Sequence, residues 1–210
     1  MTPPPSAHDI LFFWFGPRPY SATRVVQHSR IWFGEPDSPE ITPQADELIR
    51  DRFSELTAAA ERGELCAWES SPRRRLALIL LLDQFPRNIY RGSARAYTQD
   101  LQALSLTVSG MQLGADATLD PVERLFFYMP LMHAEGLDVQ EESVAAFRRL
   151  VEEAPADLHR IFDSSLQSAI QHRGVIQRFG RFPHRNRVLA RESTPEELEW
   201  VANEGRNFAQ

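Results

Sequence analysis

The 210-residue chain contains no lysine: all 23 of its basic residues are arginines. Without a lysine amine there is no Schiff base, no pyridoxal-phosphate attachment and no Walker-type phosphate contact. Cysteine is almost missing too. A lone Cys66 excludes an intramolecular disulfide and any CxxC redox or zinc pair. No HExxH or HxH spacing, glycine-rich phosphate loop, dinucleotide fingerprint or G-x-S-x-G elbow occurs. No metal site is therefore expected. The cofactor stays unknown, with a bound flavin or haem left open. Long apolar runs are lacking as well: "ILFFWF" and "LALILLL" fall far short of the roughly 18 residues that span a bilayer. "MTPPPSAHD" has neither the basic start nor the cleavage site of a signal peptide, so a cytoplasmic protein with no membrane partner is expected. A net charge of −6 argues against a nucleic-acid partner, although the last third of the chain is rich in arginine.

Helix starts are what the sequence has in plenty. Thr42-Pro43, Ser71-Pro72, Asp120-Pro121 and Thr194-Pro195 each place a capping side chain before a proline at the first helical position. Glu123 and Glu197 complete capping boxes with Asp120 and Thr194, and Asp138 with Glu141 reads as a third. Between these starts apolar residues recur at three and four, as in Val144, Phe147, Leu150 and Val151. The pattern predicts helices over about 6–15, 21–32, 42–62, 72–91, 98–113, 120–135, 138–153, 157–178 and 194–204, with "GPRPYS" and "GEPDSPEI" as loops. No strand alternation competes. Short connections then make consecutive helices antiparallel neighbours, in one all-α domain over residues 1–210.

Two stretches carry unusual polarity. In "LLLDQFPRNIYRG" (80–92) an apolar run that starts at Leu76 ends abruptly in Asp83, Gln84, Arg87 and Asn88 around Pro86. Seven successive apolar residues leave no polar face, so this helix is expected at the centre of the molecule. Asp83 and Arg87 stand four apart and should pair along one edge, Gln84 and Asn88 along the next, with a bend at Pro86. The second stretch, "RFGRFPHRN" (178–186), repeats the Phe-Pro-(His)-Arg-Asn ending and follows His172. Gly180 and Pro183 place Arg181, His184, Arg185 and Asn186 on a loop just beyond Arg178, where fixed guanidiniums recognise carboxylates or phosphates. In "ERLFFYMPLMHAE" (123–135), Pro130 interrupts an aromatic run expected in the core. There His133 and Glu135 share a side only if the helix ends between them.

These motifs, with "ILFFWFG" (10–16), "RIWFG" (30–34) and "REST-PEE" (191–197), resemble the bacterial domain-of-unknown-function family numbered 924. The resemblance spans nearly the whole chain. It implies stacked antiparallel helix pairs of tetratricopeptide-like type with a concave face. It brings no activity with it.

The leading expectation is a pocket for a small anionic molecule, carboxylate or phosphate, lined by the two Phe-Pro-Arg-Asn stretches. Arg87, Arg178, Arg181 and Arg185 would clamp the anion, with Gln84, Asn88, Asn186 and His172 beside them. Asp83 and His133 or His184 would handle protons in non-redox hydrolase, lyase or isomerase chemistry. Aromatics of "FFWFG" and "LFFYM" would exclude water. Two rivals stand beside it: a scaffold binding a peptide or protein partner, and a buried ion-pair network that fastens the C-terminal segment and leaves no cavity.

Overall fold

A computed structural model describes residues 5–33 and 41–205, without the side chains of Arg30, Phe33, Ile41 and Thr42. The predicted loop at 34–40 and the Thr42 cap lie outside this description. Among the described residues there is no strand. The helices are α1 (Ala7–Phe15), α2 (Ala22–Phe33), α3 (Ile41–Glu61), α4 (Pro72–Ile79), α5 (Phe85–Ile89), α6 (Asp100–Gln112), α7 (Pro121–Phe127), α8 (Met129–His133), α9 (Leu137–Glu152), α10 (His159–Phe179) and α11 (Pro195–Asn203). No helix is long and apolar enough to cross a membrane.

The all-α architecture follows the expected segments within about two residues, with two internal breaks. The central helix is buried on every side: each residue from Leu76 to Leu82 is at most 2% exposed. Its first break is a widening. Leu80–Gln84 form a π turn, closed by the Phe85 amide donating to the Leu80 carbonyl, and Pro86 then opens α5. The proline that cannot donate is thus accommodated by a wider turn before it rather than by a simple bend. The second break follows the same logic. α7 stops at Phe127, Pro130 sits in the first turn of α8, and the Phe127 carbonyl accepts from Thr107 Oγ1 at 2.9 Å.

Capping boxes form at Asp120/Glu123 and Thr194/Glu197, and a further one at Ser6/Asp9. The expected box at Asp138 does not: α9 begins one residue earlier, with Gly136 at its cap position and no side-chain cap. Ser71 precedes α4 as expected, but its hydroxyl caps nothing.

α9 and α10 form the most extensively packed pair, while α3 lies against α5, and α1 and α6 against α4. The main core runs through α1 to α10 and is rich in rings. Trp32 and Phe126 stand 4.7 Å apart edge to face, and the Trp32 indole donates to the Trp14 carbonyl. A second, small core of Val175, Ile176, Phe182 and Trp200 belongs to the C-terminal segment.

Gly110 and Gly174 give this packing a test of opposite sign. A Cβ on Gly110 would meet Phe127 Cζ at 2.5 Å and Arg75 Cδ at 2.9 Å, whereas one on Gly174 meets nothing within 4 Å. In urea denaturation, Gly110→Ala is expected to destabilise by about 1–3 kcal/mol through overpacking. Gly174→Ala should stabilise by up to about 1 kcal/mol through helix propensity.

Candidate functional site

Asp83 lies in the π turn with no exposed surface. A charged carboxylate persists there only if it is paired and hydrogen-bonded. Nδ1 of His133 stands at 2.7 Å, Nη1 of Arg87 at 3.3 Å, and the Gln84 side-chain amide donates to the other oxygen. Burial alone would push the carboxyl up. Arg87 and His133 outweigh it and hold Asp83 well below the usual carboxylate range.

His133 ends α8 and is buried. Burial first, and then the neighbouring Arg87, push its pKa below that of free imidazole, against the pull of Asp83. The ring is neutral at neutral pH, and the geometry assigns its proton to Nδ1, donated to the Asp83 carboxylate. Nε2 keeps its lone pair. The ring is also held through its backbone: Gln140 Nε2 donates to the carbonyls of Met132 and Ala134 at 2.7 Å each, and Arg185 Nη1 donates to that of His133 at 3.1 Å. Those carbonyls end a five-residue helix whose C-terminal groups would otherwise lack partners.

Arg87 grips both oxygens of Asp100 at 3.0 Å, and its Nη1 also donates to the Asp83 carbonyl at 2.6 Å. Arg185 shares one of those Asp100 oxygens at 3.3 Å. Both guanidiniums face the Tyr97 ring, at 5.5 Å for Arg87 and 4.7 Å for Arg185, which also lies over Phe182 at 4.5 Å. The two cations are not equally satisfied. Burial opposes the charge of Arg87, but Asp83 and Asp100 raise its pKa overall. For Arg185, burial and the charge of Arg87 prevail and lower it. A guanidinium stays protonated regardless. Among the described residues, Nη1 is the one nitrogen of Arg185 that finds a hydrogen-bond partner, and its buried Nε finds none.

This cation opens on a cleft of about 450 Å³, whose polar lining is Tyr97, Asp100, His133, Glu135 and Arg185. Leu101, Leu104, Val139 and Leu189 line the rest. Two somewhat larger hollows lie elsewhere, of about 500 Å³ beside Trp68 and Arg74 and about 540 Å³ along α3. Neither is lined by a buried charged residue.

Of the residues singled out in the sequence, Asp83, Gln84, Arg87, His133 and Arg185 meet in this network. Asp83 and Arg87 pair as expected. Gln84 and Asn88 do not pair with each other: Gln84 turns to Asp83, and Asn88 donates to Asp46 at 2.8 Å, a carboxylate that also receives Arg91. Arg178 and Arg181 stand apart from the cleft. Arg178 pairs with Glu196 at 2.8 Å in solvent, and Arg181 with Glu197 at 2.6 Å. Asn186 is buried and donates to Ser193 at 3.0 Å while accepting from Arg191. His172 and His184 flank Phe182, each ring 5.5 Å from it, and Nδ1 of His172 donates to the Ser168 carbonyl. Phe13, Trp14 and Phe15 of the N-terminal run and Phe126–Tyr128 pack in or against the main core, whereas Phe12 is exposed, and the ring at the cleft is Tyr97.

Helix α8 does end between His133 and Glu135, and both line the cleft, but Glu135 accepts from Arg191 at 2.7 Å and from the Phe182 amide at 2.8 Å. Among the described residues, no group of three or more His, Cys, Asp or Glu is arranged to hold a metal ion. Asp100, Tyr97 and Gln140 escaped the sequence reading. Asp100 looks like any acid placed at a helix start, and Gln140 like any polar residue within a helix.

Comparison with known proteins leaves no doubt about kinship. The chain belongs to the family described as bacterial protein of unknown function (DUF924), whose model matches residues 10–205. It is 34% identical to a solved structure of a protein of unknown function, ATU0120, from Agrobacterium tumefaciens, which it matches with a TM-score of 0.76 over 93% of this chain and 96% of that one. No curated protein matches.

The buried histidines predict an acid limit to stability. Burial holds His172 at about 3, against its Ser168 hydrogen bond, and burial with the charge of Arg185 holds His184 at about 3, from 6.5 for the free ring. Between those values the unfolded chain binds more protons than the folded one, so stability is full above pH 6.5 and falls as pH drops below it. Urea denaturation at pH 7.5 and 5.5 should show a loss of roughly 2–4 kcal/mol, since His133, lowered by burial in the same direction, adds to the two. A loss reduced by about a third to a half in His172→Gln would assign that share to it, and a flat profile would contradict the account.

Proposed function

We propose that the cleft beside Asp100 binds a small anionic molecule and performs acid–base chemistry on it. The observation that carries this reading is Arg185: a buried cation with one hydrogen-bonding nitrogen out of three, opening on a cavity that also presents His133. A buried charge so incompletely paired is costly unless something else completes it.

The roles follow from the geometry. Arg185 holds the anionic group. His133, oriented through Nδ1 by Asp83, offers Nε2 as a base to a carbon acid, a hydroxyl or a water on the bound molecule. The imidazolium that forms is stabilised by the Asp83 carboxylate, which Arg87 and Gln84 hold in place. Arg87 is a positioning residue, since its guanidinium is taken up by Asp83 and Asp100. Hydrolysis, elimination and isomerisation all fit a single oriented base beside an anion anchor. The same proposal takes the helix pairs as tetratricopeptide-like, used here to frame a cleft rather than a peptide groove.

A thermal-shift screen of carboxylates, phosphate esters and short peptides tests the reading. A ligand present at a hundred times its dissociation constant should raise Tm by roughly 5–10 °C in the wild type. The same ligand should give no shift in Arg185→Gln, measured from that variant's own Tm. His133→Gln should keep binding but lose turnover of whatever ligand is found. Stabilisation by peptides alone, or an undiminished shift in Arg185→Gln, would overturn the proposal.

A further inference from the structure

We infer that the molecule taken by this cleft is a monocarboxylate carrying an apolar chain, not a phosphate ester; the inference rests on reading the cleft as a small-molecule site. The charge around the cleft is the first argument. Arg87, Arg185 and Arg191 face Asp83, Asp100 and Glu135, three cations against three carboxylates, with His133 neutral between them. What is left over is the unpaired part of one guanidinium. Asp100 and Glu135 themselves line the cleft. A carboxylate would complete the hydrogen bonding of Arg185 at the cost of one uncompensated charge, whereas a phosphate dianion would set two such charges beside those carboxylates.

The second argument is the start of α9. This sixteen-residue helix begins at the cleft, where Gly136 and Val139 line it; no side chain hydrogen-bonds its first amides, and its first turn carries one carboxylate, the exposed Asp138. An uncapped helix start offers backbone N–H donors to a carboxylate. Together with the buried, incompletely paired Arg185, it makes a two-sided cradle for a planar monoanion.

The third argument is the remaining wall. Leu104, Val139 and Leu189 line the cleft together with Leu101, which is 81% exposed. An apolar chain attached to the carboxylate would cover these side chains and remove them from water. Acetate would satisfy the cradle alone, and a longer chain both parts.

Isothermal titration of the full chain with acetate, octanoate, octanol and octyl phosphate tests the inference. Octanoate should bind at least tenfold more tightly than acetate and than octyl phosphate. Octanoate should also bind more tightly than octanol, and Arg185→Gln should abolish that difference. Leu101→Ser, at an exposed position that threatens no core, should weaken octanoate about fivefold and leave acetate unchanged. If octyl phosphate binds as tightly as octanoate through Arg185, the ligand class is wrong while the anion site stands. If acetate binds as well as octanoate, the apolar wall plays no part and the inference fails. If no anion binds, both the inference and the site reading fall.

Discussion

The carboxylate of Asp100 is the point on which this molecule turns. It receives Arg87 from the central helix and Arg185 from the C-terminal segment, positions separated by almost a hundred residues. The main aromatic core and the small core around Phe182 and Trp200 are separate clusters, and Arg185 lies over Phe182 of the small one. Two apolar cores are thus joined through a polar seam rather than by continuous apolar packing. Such a seam gains little net stability, because desolvating the ions offsets most of their attraction. Its effect is on geometry: each charge has one arrangement in which it is paired, so the seam fixes how the C-terminal segment docks. The latch from Arg191 to Glu135 and to the Phe182 carbonyl acts in the same sense. The network and the cleft are therefore not alternatives. The network fastens the segment, and where it runs out, at Arg185, the cleft begins.

Each member of the site stands where a helix is irregular. Asp83 is in a π turn, His133 at the end of a five-residue helix, Arg185 in a 3-10 turn and Asp100 at the first residue of α6. The central helix is apolar on every face from Leu76 to Leu82, so it has no place for a functional group until its regular turns end. The two interrupting prolines, Pro86 and Pro130, go with the first two of these places, since each denies its helix a backbone hydrogen bond. The carbonyls left at the ends of α7 and α8 then need partners, and Thr107, Gln140 and Arg185 supply them. Polar side chains that look isolated in the sequence are in this way drawn to the same place.

Much of the fold was legible because helix starts are written locally. Asp120, Thr194 and the apolar periods between such caps place the helices before any tertiary contact is considered. Asp138 misled because Gly136 already begins α9, and Pro86 misled in part because a proline denotes an interruption without saying whether the helix bends or widens. The site was legible in its centre. The buried run from Leu76 to Leu82 forces the polar residues that follow it into the interior, which foretold Asp83 and Arg87. Arg178 and Arg181 were not distinguishable from Arg185 in the sequence. Their partners, Glu196 and Glu197, lie on α11 and meet them only through the turn after Gly180. Asp100 was invisible for the same reason, since its identity as a bridge exists only once two distant arginines arrive.

The most direct test is a double-mutant cycle on that bridge, with Asp100→Asn and Arg185→Gln alone and together, measured by urea denaturation at neutral pH. A bridging carboxylate that joins the C-terminal segment to the central helix predicts a coupling energy of about 1.5–3 kcal/mol, against less than about 0.5 kcal/mol for the exposed Arg178–Glu196 pair. Additive effects of the two substitutions would contradict it.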